Sequence, residues 1–209
     1  MGDFLGLLLA AYLLGSIPVG MIIAWLMGGP DLREAGSGNI GAANVYRLLG
    51  RNAGVFTLFG DALKGVLPVF VARFGPVALG GWHGWAIATV GLVAVLGHIY
   101  PLYLRFKGGK GVATGLGVIA TLCPLSALLL VAVWVAVASY YRWISLASLA
   151  AAWLMPLAVG LFSDSTPNLL VSGIISVLIL LRHQDNIVRL AKGEEPHLDV
   201  SQKASRSNF

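Results

Sequence analysis

Apolar residues run along this chain in long blocks, at about Phe4 to Met27, Ala53 to Val71, His83 to Leu104, Val112 to Tyr141, Ile144 to Phe162 and Asn168 to Leu181. A helix of about 20 such residues crosses a hydrocarbon core of roughly 30 Å, so the pattern predicts a bundle of membrane helices. The fourth block is too long for one crossing. About 30 residues make roughly 45 Å of helix, and Pro124 interrupts them. Three short polar breaks separate the blocks: Gly36 to Arg47, Phe106 to Gly111, and Arg182 to Asn186.

Positive charge decides how the fourth block is divided, because loops rich in lysine and arginine stay in the cytoplasm. Arg33, Arg47 and Arg51 follow the first block; Arg105, Lys107 and Lys110 follow the third; Arg182, Arg189, Lys192, Lys203 and Arg206 follow the last. A single crossing by Val112 to Tyr141 would put the last group outside. Splitting it at Cys123-Pro124 into a short helix, about Val112 to Leu122, and a full one puts all three basic breaks inside. The expected fold is therefore an all-α integral membrane bundle of seven helices, one of half length, with the N-terminus outside and the C-terminus cytoplasmic. The ends of so short a helix must face protein or a water-filled cavity. Its N-terminal amides would be free to bind an anion.

Composition agrees with a membrane location: 57% of the 209 residues are hydrophobic and only 11% charged, against about a quarter in soluble domains. We expect one transmembrane domain over residues 1–193 and a polar, flexible cytoplasmic tail over 194–209 with no catalytic duty. The first helix is expected to be retained, since the chain lacks the basic start of a removable signal peptide. The net charge of +5 matches an anionic membrane surface rather than nucleic acid. The single cysteine, Cys123, is expected to pack, and the four histidines show no metal-ligand spacing.

The breaks carry the candidate chemistry. Lys107-Gly108-Gly109-Lys110-Gly111 combines glycines that let backbone N–H groups approach an anion with two cations and a following helix N-terminus. It is not a Walker A loop, and a turn whose lysines only set topology is the simpler alternative. Gly36 to Arg47 offers Ser37, Asn39 and Asn44 on a glycine-rich turn, then Arg47 as a bidentate phosphate partner. His183 and Asn186 fall on one helical face. Ser145 and Ser148 either cap the fifth block or supply a hydroxyl to the pocket. Asp61 and Lys64 read as a structural pair, and His98 as a packed or hydrogen-bonded residue. The aromatic set Trp82, Trp85, Trp134, Tyr140, Tyr141, Trp143 and Trp153 reads as interface anchors and packing.

Taken in order, Gly36 to Arg47, Gly97 to Pro101 running into Phe106 to Thr114, Ser145 to Ser148, and Arg182 to Asn186 resemble the motifs of the bacterial acyl-phosphate:glycerol-3-phosphate acyltransferases. The resemblance covers nearly the whole chain. It implies a seven-helix multi-pass protein of the bacterial inner membrane, with its active site at the cytoplasmic face and no cofactor. Its partners would be membrane lipids and two substrates, acyl phosphate and glycerol 3-phosphate, whose 1-hydroxyl is acylated to give lysophosphatidic acid. By resemblance, Ser37, Arg47, Lys110, Ser148, His183 and Asn186 would be catalytic. Gly36, Gly38, Asn39, Asn44, Lys107, Gly108, Gly109, Gly111 and Thr114 would bind substrate. Ala43 departs from the family, which usually has threonine there. Because phosphate is a good leaving group, positioning and charge stabilisation are the main demands. No His-x4-Asp dyad is present, so we expect Lys110, Arg47 and the loop amides to hold phosphate while a donor phosphate oxygen takes the hydroxyl proton.

Overall fold

The computed structural model describes residues 2–75 and 82–197, and these are mostly helical, without strands. Ten α-helices follow in order: α1 Gly2–Ser16, α2 Val19–Leu26, α3 Ala42–Leu49, α4 Arg51–Phe74, α5 His83–Ile99, α6 Val112–Leu122, α7 Pro124–Tyr141, α8 Ile144–Phe162, α9 Thr166–Leu181 and α10 Gln184–Lys192. Four of them, α4, α7, α8 and α5 with the short 3-10 turn after it, are long and apolar enough to cross a membrane. The number rises to six if the bent pairs α1–α2 and α9–α10 each count as one span. The protein is a multi-pass membrane protein, and α6 is a shorter apolar helix set among these spans.

The expected split of the fourth block is present, with α6 ending at Leu122 and α7 starting at Pro124. Proline at the first helical position gives up no hydrogen bond, and it forces the preceding residue out of the helical region. Cys123 accordingly sits at φ −146° and ψ 83°. Other boundaries differ from the apolar pattern. The first block bends by 41° between α1 and α2, where Pro18 lacks an N–H to continue the ladder. The third stops being α-helical at Ile99 and passes through Pro101 into a 3-10 turn, Leu102–Leu104. Half of the first polar break is itself helical, as α3.

Small residues bring the helices to near backbone contact. A Cβ at Gly65 on α4 would lie 2.1 Å from Thr114 O, and one at Gly117 on α6 would lie 2.1 Å from Ala62 O. Without a hydrophobic driving force in lipid, such close packing is a main source of helix association. Arg73 near the end of α4 donates from Nη1 to Thr121 O at 2.6 Å, satisfying a C-terminal carbonyl of α6. α6 therefore starts beside Asp61 and ends beside Arg73, leaving the first ten residues of α4, about 15 Å of helix, uncovered by it. The second polar break precedes that start of α6 and packs on the end of α5. Val90, Val95, Val118, Ile119, Ile175 and Ile179 are fully buried among α5, α6 and α9, while Phe56, Phe59, Leu128 and Trp153 stand exposed on the outer faces.

Gly117→Ala is expected to destabilise the protein by about 1–3 kcal/mol through overpacking, read as a lower thermal unfolding midpoint in detergent. Gly173→Ala is the control, because a Cβ there meets nothing within 4 Å; it should leave the midpoint unchanged or raise it.

Candidate active site

The three polar breaks meet at one end of the bundle around a polar cavity of about 240 Å³. Ser37, Gly38 and Asn39 come from the first break, Gly108 and Lys110 from the second, Arg182, Gln184, Asp185 and Asn186 from the third, and Arg189 from further along α10.

The first wall is shaped by Asn44, near the start of α3. Its Oδ1 accepts from Ser37 N at 2.9 Å, and its Nδ2 donates to Ala35 O at 3.0 Å and Asn39 O at 2.9 Å. The side chain is 1% exposed and off the cavity wall. Asn44 thus holds the loop that a ligand would meet, rather than meeting the ligand itself. Gly36 lies at φ +61°, and a Cβ there would fall 2.3 Å from Asn44 Oδ1, so the turn requires glycine twice over. One turn further along α3, Arg47 has a buried Nε without a hydrogen-bond partner. Burial pulls its guanidinium below the ordinary value, with Glu195 opposing and Arg189 adding to the effect.

In the second wall the glycines serve packing more than anion capture. Gly108 N donates to Ile99 O at 3.2 Å and Gly109 N to His98 O at 3.1 Å, while Arg182 donates to Gly108 O at 3.1 Å and Gly109 O at 3.4 Å. These two amides, expected to cradle phosphate, are occupied by the frayed end of α5. Gly111 adopts φ +84° and starts α6. Between them Lys110 turns its Nζ to Asn186 Oδ1. Burial pushes the Lys110 ammonium down to about 8, with Glu195 opposing and Arg189 and Arg47 adding to it.

The third wall explains why Asn186 can receive that ammonium. Its Nδ2 donates to Glu195 Oε1 at 2.6 Å, and Glu195 Oε2 accepts from Arg189 Nε at 2.7 Å. With its nitrogen committed to the carboxylate, the amide must present oxygen to Lys110. Burial works against ionisation of Glu195, but Asn186, the Ser145 hydroxyl and Arg189 together outweigh it and hold the carboxyl below its usual range. Neighbouring His183 is 3% exposed and lies behind the cavity wall rather than on it, with Nδ1 2.8 Å from Ile179 O. Since a carbonyl only accepts, the proton sits on Nδ1 and Nε2 is left as an acceptor.

Sequence reasoning missed Glu195. It falls in the expected flexible tail, yet it is 4% exposed and packed on the site. The available signal was Gly193 after a strongly amphipathic helix, a C-cap that here takes φ +72° and turns the chain back toward Asn186. Residues 198–209 of the expected tail lie outside the described residues. Arg182, read as a motif member and topological charge but not as a site residue, and Arg189, counted only for topology, also line the cavity.

Other expected site residues are not on its wall. Ser148 Oγ donates to Ile144 O at 2.8 Å and accepts from Trp134 Nε1 at 3.2 Å, which places it between α7 and α8. Thr114 Oγ1 donates to Asp61 O at 2.8 Å inside the α4–α6 contact. Lys107 is exposed on the loop away from the cavity. Among the described residues, no group of three or more His, Cys, Asp or Glu side chains could hold a metal ion.

Residues 5–193 match the family model for glycerol-3-phosphate acyltransferase. The chain belongs to this family. The relative from Geotalea daltonii, named glycerol-3-phosphate acyltransferase, is 48% identical over 189 residues, covering 90% of this chain and 94% of the relative. One from Syntrophotalea carbinolica with the same name is 45% identical over 196 residues, or 93% and 97% of the two chains. Among solved structures, the chain is similar to the glycerol 3-phosphate form of PlsY, an integral membrane glycerol 3-phosphate acyltransferase. The TM-score is 0.85 at 43% identity, over 93% of this chain and 94% of that one. A lysophosphatidic acid form of PlsY gives 0.83 at 42% identity.

For this member of the family, the depressed Lys110 value sets a pH window. The ammonium is charged below about 8 and loses its charge as pH rises through that point, while phosphate, a mixture of monoanion and dianion near pH 7, is almost wholly dianion by about pH 8. Affinity of the substrate-free protein for inorganic phosphate should therefore fall between about pH 8 and pH 10, by roughly the tenfold that loss of one charge-assisted hydrogen bond allows. Calorimetric titration across that range checks it, and Lys110→Arg should flatten the decline.

Proposed function

We propose that this protein transfers a fatty acyl group from acyl phosphate to the 1-hydroxyl of glycerol 3-phosphate, giving lysophosphatidic acid and phosphate. One observation carries the reading: an open cavity in which Lys110 and Arg182 from two separate breaks converge with Arg189 of α10, with the unpartnered Arg47 Nε close behind. Cations so arranged suit a small phosphorylated acceptor and the phosphoryl group of a donor. The solved PlsY forms, named for glycerol 3-phosphate and for lysophosphatidic acid, support the same acceptor and product.

In this mechanism the 1-hydroxyl oxygen forms a bond to the acyl carbon as the bond from that carbon to the phosphate oxygen breaks. The hydroxyl proton passes to a phosphate oxygen of the departing group. Lys110 and Arg47 stabilise the negative charge that grows on that phosphate, and the Ser37 hydroxyl and His183 Nε2 orient the acceptor. Asn186 aims Lys110. Ser148 and Thr114, whose hydroxyls are committed within the bundle, act through packing, and Asn44 through the shape of the first wall. No strong protein nucleophile is needed, because phosphate leaves readily from a mixed anhydride; the chain supplies orientation and charge.

The proposed topology counts α1–α2, α4, α5, α6, α7, α8 and α9 as seven membrane helices, with the N-terminus outside and the cavity at the cytoplasmic face of the bacterial inner membrane. Two features support it. Basic residues gather at the cavity end, as cytoplasmic loops do. Cys123 Sγ lies 3.7 Å from Phe162 O, which pairs the start of α7 with the end of α8, as alternating crossings require.

Purified protein supplied with acyl phosphate and radiolabelled glycerol 3-phosphate should yield labelled lysophosphatidic acid on thin-layer plates, and acyl-CoA should not replace the donor. Lys110→Ala and Arg47→Ala should each lower turnover by about 10²-fold or more. Near-wild-type turnover in either variant contradicts the mechanism.

A further inference from the structure

Three ionisable side chains lie deep in the bundle outside the cavity: Asp61 and Lys64 on α4, and His98 on α5, at 3%, 4% and 4% exposure. Charges placed there are expensive and are kept where they serve a site. Lys64 Nζ lies 2.7 Å from Asp61 Oδ1, which would suffice for a self-contained ion pair. It also reaches His98 Nδ1 at 3.3 Å. An ammonium only donates, so Nδ1 accepts and the ring proton sits on Nε2. That edge of the ring faces the second polar break: a Cβ on Gly109 would fall 2.2 Å from Nε2, and one on Gly108 would fall 2.2 Å from His98 O. Gly109 N in turn donates to His98 O. The residue after Gly109 is Lys110. Asp61 closes the arrangement from the other side, its backbone carbonyl accepting from Thr114 Oγ1 in the first turn of α6.

The loop that carries Lys110 is thus seated on His98 before it and tied to Asp61 after it, while Lys64 joins the two supports. From this geometry we infer that Asp61, Lys64 and His98 form a buried positioning cluster that sets the height and direction of Lys110 in the cavity without touching substrate. It accounts for a charged group at this depth, since α6 begins beside Asp61 and the loop before it must be held there. It also accounts for glycine at both 108 and 109, where any side chain would displace the loop from the ring and carbonyl beneath it. The inference rests on the reading of Lys110 as a phosphate-binding cation.

The test is Asp61→Asn combined with Lys64→Met, which removes both charges together and leaves no unpaired ion in the bilayer, alongside His98→Asn, which withdraws the ring from the loop. Both should unfold in detergent near the wild-type temperature, yet raise KM for acyl phosphate roughly tenfold, the scale on which a misplaced binding group acts, with a smaller fall in kcat. A purely structural cluster would instead lower the amount of active protein, so that apparent kcat falls at unchanged KM, and that pattern overturns the inference. Wild-type kinetics in both variants overturns it as well. So does failure of both variants to fold, which would make the cluster a folding determinant only. Lys110→Ala, measured in parallel, separates the two claims: if it keeps wild-type KM, the reading of Lys110 is wrong, whereas if only the cluster variants do, this inference alone fails.

Discussion

An ammonium placed at the end of an apolar bundle needs an oriented acceptor, and the contact of Lys110 with Asn186 is the interaction on which the rest of this site depends. Asn186 can offer its oxygen only because Glu195 engages its nitrogen, and Glu195 stays ionised because Arg189 and Asn186 hold it. The chain of contacts joins the second polar break to the third and to the residues after α10. It also leaves the cavity with more cations than anions close by, the condition for taking up phosphate.

Close packing makes that convergence possible. The glycine contacts between α4 and α6, and those of Gly15 and Gly97 between α1 and α5, replace side-chain layers with backbone approach. A half-length α6 then starts beside Asp61 rather than at the end of α4. The polar backbone before it can lie there because the carbonyls at the end of α5 and the Arg182 guanidinium satisfy it, as irregular backbone within a membrane requires. Function and fold share one device here: the helix that is too short to span leaves room for the loop that carries the lysine.

Much of this was legible in the residues. Basic charge counted against crossings located the α6–α7 split at Cys123-Pro124, because topology and proline chemistry act locally. Residues brought to the cavity from far apart, such as Ser37, Lys110 and Asn186, could be named from their motifs. Less legible was anything decided by which partner a polar group takes. Asn44 and the Gly108 and Gly109 amides looked like ligands but are consumed by their own backbone surroundings. Glu195 looked like solvent-exposed tail, since its burial depends on a turn at Gly193 and on a partner nine residues away. The α3 helix was hidden by glycines before it, although Ala42 to Leu49 contains no helix breaker.

The most direct test of convergence is substrate protection of single cysteines placed on separate walls, at Asn39 and at Gln184, in a background with Cys123→Ala. If the breaks form one cavity, glycerol 3-phosphate will slow maleimide labelling at both positions with the same half-protecting concentration. Protection at one position only, or at concentrations that differ widely between the two, would contradict a single shared site.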